Sequence, residues 1–260
     1  LFTDPIPRPD ELRSIYTQSR WNPGDRYDKN STLASSQFRF IQQSLNSLGI
    51  HSVGKILDIG CSNGRLLNLF QVAGWNVTGV EPNNEAVNYA KNKFKIDISP
   101  GTFAEVTYPN DEFDLVCLSH VFEHFDDPIS TLQEIKRIAK RRGLVFVEVP
   151  NDTKIGRKGQ TGYHLFFFSP QTLSALFEKC GFESVRLVTN GRLLDDYQKL
   201  DRLVNSAPAM ILQKFPLLVK LVKRTMGDLL VDNDHLDDYY QATQVKQGAT
   251  IRGFFTTIAE

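Results

Sequence analysis

The sequence predicts an α/β fold: a doubly wound, mainly parallel seven-stranded sheet, with a helical N-terminal arm and a helical insertion before the last strand. Three observations carry this. Short β-rich runs alternate with helical runs between residues 55 and 189, which is the pattern of βαβ units around a parallel sheet. The helical runs are punctuated. Gly74, Gly143 and Gly181 follow them as C-cap candidates, and Pro82, Pro128 and Pro170 stand at or near their starts. The 260 residues are enough to bury the core of one such domain.

In chain order, residues 1–50 read as an arm with Tyr16, Trp21 and Tyr27, followed by a helix over Ser31–Leu48, where Leu33, Phe38, Ile41, Leu45 and Leu48 recur at helical spacing. This segment is expected on the lid or substrate side. Residues 51–189 form the core. KILDI, WNVTGVE, a short third strand, FDLVCLS, GLVFVEVP and FESVRLVT read as its strands. RLLNLFQVAG, NEAVNYAKNKF, PISTLQEIKRIAK and SPQTLSALFEKCG read as its helices. Residues 190–246 break the rhythm and read as a helical insertion, a lid or an interface. Residues 247–260 supply the last strand of the sheet.

Composition narrows the class of function. Lysine plus arginine and aspartate plus glutamate number 30 each, so no global charge favours nucleic acid. Cys61, Cys117 and Cys180 are odd in number and form no CxxC pair, which fits a reducing cytoplasm. The N-terminal stretch lacks an apolar core of signal-peptide length, and no run is long enough to span a membrane. Residues 208–231 carry Lys214, Lys220, Lys223 and Arg224 among apolar residues. They are read as a peripheral membrane or dimer contact.

The stretch Lys55–Arg65, KILDIGCSNGR, holds the chemistry. A strand feeds a loop of small residues and then a helix, the arrangement that lets backbone approach a nucleotide. Gly60, Cys61, Ser62, Asn63 and Gly64 do not have the G-x-G-x-x-G spacing of a dinucleotide site. Asp58, inside the motif, would repel a pyrophosphate but suits an ammonium. Glu81 closes the next strand, where a carboxylate accepts both hydroxyls of a ribose. A ribose with free hydroxyls joined to an amino-acid cation describes S-adenosylmethionine.

LDIGCSNG, GVEP, GTFAE, FDLVCLSHVFEHFDDP and GLVFVEVPN follow one another at fitting intervals. In this the chain resembles the class I S-adenosylmethionine-dependent methyltransferases, with their Rossmann-like fold, and most closely the small-molecule branch with an EHxxDP signature. The resemblance covers about residues 53–189. Ser62 departs from it, since many members carry glycine there. The resemblance implies cofactor contacts from the glycine loop, from Glu81 and Pro82, and from Thr102 and Phe103 beside the adenine; Phe103 reads equally as core. The rule that ligands lie beyond the carboxyl ends of strands places Ser119 and His120 beside the methionine part. His120 also has a plain reading, satisfying backbone groups. Asp127 before Pro128 reads as a helix cap.

Methyl transfer from a sulfonium needs positioning above all. An oxygen acceptor also needs a base, and His120, His164 and His124 are the candidates. The resemblance turns His164 toward the acceptor, while an aromatic stripe around it offers a packing role instead. HVFEH lacks the HExxH order, so no metal is expected. The expected reaction is O-methylation of a small metabolite, sugar or lipid-linked saccharide. N- or C-methylation of a small molecule, a catalytically inactive binding protein, an NAD-dependent oxidoreductase and a nucleic-acid methyltransferase are the alternatives. The last lacks its N/D-P-P-Y/F motif, since this chain has SHVF.

Overall fold

The computed structural model describes residues 27–151, 164–190 and 250–258, together with 7, 8, 11, 14 and 17. The expectations for Tyr16, Trp21, the 190–246 insertion and its 208–231 stretch lie outside the described residues.

The helix α1 (Tyr27–Ser47) begins earlier than the Ser31 expected. There follow β1 (Lys55–Ile59), α2 (Arg65–Val72), β2 (Asn76–Glu81), α3 (Asn84–Phe94) and the three-residue β3 (Ile98–Pro100). Next come β4 (Phe113–Ser119), α4 (Pro128–Ile138), β5 (Ala139–Pro150), α5 (Pro170–Lys179), β6 (Phe182–Asn190) and β7 (Thr250–Thr257). Single 3₁₀ turns occupy Phe103–Glu105 and Phe122–His124.

The strands form one seven-stranded sheet in the order β3-β2-β1-β4-β5-β7-β6. β1 to β5 run parallel, and β7 pairs antiparallel with both β5 and β6. The chain order reverses between β1 and β4, the place where open α/β sheets bind ligands, beyond the carboxyl ends of the strands. Leu57, Val116 and Val145 sit in the core on one face, and Ile56, Leu115 and Phe146 in the core on the other. Both faces are covered, as a parallel sheet requires.

α1 belongs to the second of these cores. Ala34, Phe40, Ile41 and Leu45 are buried, and the Phe40 ring packs 6.0 Å from both Phe146 and Phe254. Arg186 and Arg252 lie over that ring at 4.9 and 5.4 Å. The helix thereby ties β5, β6 and β7 together.

Most helix ends follow the punctuation. Asn83, Asp127 and Ser169 cap α3, α4 and α5 through their side chains, and Gly74 and Gly181 take left-handed φ of 91° and 83° just past helices. Gly143 is a correction. α4 ends at Ile138, and Gly143 lies inside β5. There a Cβ would meet the Lys140 carbonyl at 2.7 Å. The left-handed residue beside it is Arg142, at φ 61°. The glycine serves a close approach within the strand, not a cap.

Candidate active site

The loop after β1 is held in shape by left-handed backbone. Gly60, Ser62 and Gly64 have φ of 70°, 49° and 71°. Gly60 and Cys61 donate to the Val80 carbonyl at 2.9 and 3.3 Å. A Cβ on Gly60 would stand 2.8 Å from the Val121 side chain, so glycine is what keeps the loop against the segment after β4. Cys61 turns its thiol inward, into the core with Leu67 and Ile98.

Asp58 is 3% exposed, and its Oδ1 has no hydrogen-bond partner among the described residues. Burial, with the negative Glu81 as a smaller cause, pushes its pKa up to about 8. A buried carboxyl without a partner is unfavourable, and a ligand cation would satisfy it. Glu81 sits at the tip of the neighbouring strand. Its Oε2 accepts from the Ser62 N–H at 2.8 Å and its Oε1 from the Asn83 N–H at 3.0 Å. Burial raises its pKa, and the two backbone hydrogen bonds oppose that rise. Pro82 leads from this carboxylate into the cap residue Asn83.

The other predicted contacts divide. Thr102 makes a capping box with Glu105, whose Oε2 accepts from the Thr102 N–H at 2.8 Å. Phe103 is buried, stacked 6.2 Å from Tyr108 and 6.4 Å edge-on from Phe125, so the ring is part of the core. Ser119 ends β4, and its hydroxyl accepts from Gln37 of α1.

Sequence reasoning missed the polar cluster behind Ser119. Gln37 also donates to Glu148 Oε2 at 2.8 Å. Arg252 Nε lies 3.2 Å from Glu148 Oε1, and its guanidinium reaches Ser36. Glu148 is 1% exposed. Burial would raise its pKa, but Arg252 and His120 hold it down at about 2. The only sequence signal was an acid among the apolar residues of GLVFVEVP.

His120 joins this cluster. It adopts φ 52°, and its N–H donates to the Glu148 carbonyl at 2.8 Å. Its imidazole lies between Glu148, 3.6 Å from Nε2, and Glu123, 3.8 Å from Nδ1. Burial alone would lower its pKa, but the two carboxylates outweigh that and raise it to about 10. His120 therefore carries its proton near neutral pH and is poorly placed to take another. His164 goes the other way. Burial lowers its pKa, His124 and His120 add to that, and Glu123 opposes it.

The fold brings His124 and His164 together, with ring centroids 4.9 Å apart and edge to face. The backbone explains how. Leu165 and Phe166 donate to the Glu123 carbonyl at 2.8 and 3.1 Å, which fastens the segment after β5 onto the 3₁₀ turn of Phe122–His124. The Glu123 carboxylate lies beneath, 1% exposed, with neither oxygen hydrogen-bonded among the described residues.

A strand order reversing beside a glycine loop, with acids at the tips of two adjacent strands, defines a nucleoside-binding α/β protein of the class that carries a methyl donor. Comparison with known proteins agrees. The family profile described as "Methyltransferase domain" matches residues 33–187, and the chain belongs to that family, the class I S-adenosylmethionine-dependent methyltransferases. It is 28% identical over 143 residues to a ubiquinone biosynthesis O-methyltransferase of Actinobacillus pleuropneumoniae, covering 51% of this chain and 60% of that protein. A protein of the same name from Haemophilus ducreyi is 29% identical over 145 residues, covering 52% and 60%. The chain thus spans under two thirds of the length of these relatives. A solved S-adenosylmethionine-dependent methyltransferase from Archaeoglobus fulgidus shares the fold, with a TM-score of 0.58 at 18% identity, covering 96% of this chain and 100% of that one.

Proposed function

We propose that this chain transfers a methyl group from S-adenosylmethionine to an oxygen of a small acceptor: a metabolite, a sugar or a lipid-linked saccharide. The observation that carries this is the pairing of Asp58 and Glu81 at adjacent strand tips, with Asp58 Oδ1 buried and unpartnered. Bound there, the cofactor supplies a methyl on a sulfonium whose leaving group is a neutral thioether.

In this reading Asp58 holds the cofactor's ammonium, Glu81 accepts from its ribose, and the small residues Gly60, Ser62 and Gly64 admit it. Ser119 and His120 border its methionine part, with Thr102 and Pro82 at the rim. The acceptor binds beyond β4 and β5, and its proton leaves toward the Glu123, His124 and His164 cluster. Oxygen is preferred as the acceptor because the curated relatives described above are named O-methyltransferases and because a cluster of two imidazoles and a carboxylate, the candidate base, adjoins the site. Balanced charge favours a small molecule over nucleic acid. The unpaired state of Cys61, Cys117 and Cys180 supports a reducing, cytoplasmic setting. No helix among the described residues is long and apolar enough to cross a membrane.

The test is to incubate the chain with S-adenosylmethionine and a panel of phenols, sugars and amines, reading S-adenosylhomocysteine and methylated product by mass spectrometry. Product from hydroxyl acceptors supports the reading. Product only from amines, or none from a chain that binds the cofactor, contradicts it.

A further inference from the structure

The Glu123 side chain is buried and carries two carboxylate oxygens without a hydrogen bond among the described residues. Around its Oε1 stand His124 Nε2 at 3.9 Å and His164 Nε2 at 4.0 Å. These distances are too long for hydrogen bonds. They are close to the spacing of atoms that share an ion. One ligand atom from each of the three residues lies within 4.8 Å of the others. Bonds of about 2.0–2.2 Å to a common ion would hold such atoms roughly 3–4 Å apart, so each Glu123–histidine distance need shrink by at most about an ångström and the widest separation by at most roughly two.

We propose that Glu123, His124 and His164 hold a divalent transition-metal ion with an open position facing the acceptor. The proposal rests on the methyl-transfer reading above and deepens it by naming the group that makes the acceptor oxygen nucleophilic.

The donor chemistry selects the ion. Two imidazoles and one carboxylate suit zinc and its first-row neighbours, whereas magnesium and calcium prefer all-oxygen sites. Three protein ligands leave a position open, as in catalytic zinc sites. The histidine side chains are 20% and 23% exposed while Glu123 is 1% exposed, so the open side faces outward. Two backbone hydrogen bonds to the Glu123 carbonyl hold the 164 segment in place. The cluster also adjoins the cofactor loop, because Val121, two residues before Glu123, packs where a Gly60 Cβ would stand. His120 is the neighbour whose charge opposes an ion, and Glu148 holds its other nitrogen at 3.6 Å.

An acceptor hydroxyl in the open position becomes more acidic, as metal-bound water does. With their lone pairs on the ion, the three side chains no longer act as the base themselves: the O–H bond breaks, the electron pair stays on oxygen and the proton passes beside the cluster to water. The ion remains divalent throughout.

The purified chain, stripped with a chelator, is titrated calorimetrically with ZnCl₂ and with MgCl₂. Its metal content is read by elemental analysis after dialysis against zinc. S-adenosylhomocysteine binding and thermal unfolding report the fold of each variant. The expected result is about one zinc per chain, binding tighter than magnesium, and affinity reduced at least about 10- to 100-fold in Glu123→Gln and His164→Ala. His51→Ala, an exposed histidine outside the cluster, leaves zinc binding unchanged. Where either variant fails to fold, His124→Ala takes its place. No zinc bound by a chain that binds S-adenosylhomocysteine, or equal zinc affinity in folded variants and wild type, overturns the ion site and leaves the methyl-transfer reading standing. The expected zinc pattern in a chain that does not bind S-adenosylhomocysteine supports the ion site and overturns the reading that gives it its role.

Discussion

Glu81 accepts a 2.8 Å hydrogen bond from the backbone N–H of Ser62, which closes the glycine loop onto the tip of the second strand. The carboxylate therefore both shapes the loop and offers its remaining lone pairs to a ribose. Glu81→Gln keeps the size but removes the charge. Charged hydrogen bonds contribute about 1.5–3 kcal/mol, so S-adenosylhomocysteine affinity should fall roughly 10- to 100-fold by calorimetry. Unchanged affinity would remove Glu81 from the binding site.

Ser62 itself carries strain, because at φ 49° a side chain crowds its own backbone. Non-glycine residues there cost about 1–2 kcal/mol, partly offset by glycine's greater unfolded-state entropy. Ser62→Gly should leave stability unchanged or raise it by up to about 1 kcal/mol, read from the urea midpoint, with cofactor binding retained. A clear loss would mean that the hydroxyl has a structural role.

Asp58 sets a pH dependence. Burial, then Glu81, raises its pKa from 3.8 to about 8 in the folded chain without ligand. Between those values the folded chain holds a proton that the unfolded chain has released. The associated stability is complete below the unfolded pKa and is lost as pH rises through about 8. Asp58→Asn mimics the protonated form. Its melting temperature should fall less steeply than that of wild type between pH 5 and 8, with the variant relatively more stable at the upper end. Parallel slopes would show that the carboxyl titrates normally.

Phe40 should behave as a core residue and not as part of a detachable arm. It is 1% exposed against Phe146 and Phe254. Phe40→Ala should cost about 3–5 kcal/mol in urea unfolding. It should also disturb Arg252, which lies over the ring and holds Glu148. A loss under about 1 kcal/mol would mean that α1 packs loosely.

Legibility in the sequence tracked locality. Strand and helix runs carried their own periodicity, and observed bounds such as Asn84–Phe94 and Phe113–Ser119 match the runs read from sequence. Gly143 misled because Ala139 to Arg142 continue as strand after α4, and a glycine that permits close approach looks the same as a cap. The strand-end positions of Asp58 and Glu81 were legible because each closes an apolar run beside small residues. Gln37, Glu148 and Arg252 were not, because α1, β5 and β7 bring them together only in three dimensions. The expectation of no metal rested on the failed HExxH order. The third candidate ligand, His164, comes from another segment, and only the hydrogen bonds to the Glu123 carbonyl bring it near.

The most direct measurement is calorimetric titration of the purified chain with S-adenosylhomocysteine, with NADH in parallel and Asp58→Ala as control. The expected result is micromolar binding of S-adenosylhomocysteine that is lost in the variant, with no NADH binding. Absence of S-adenosylhomocysteine binding by the well-folded chain, or affinity unchanged in Asp58→Ala, would contradict it.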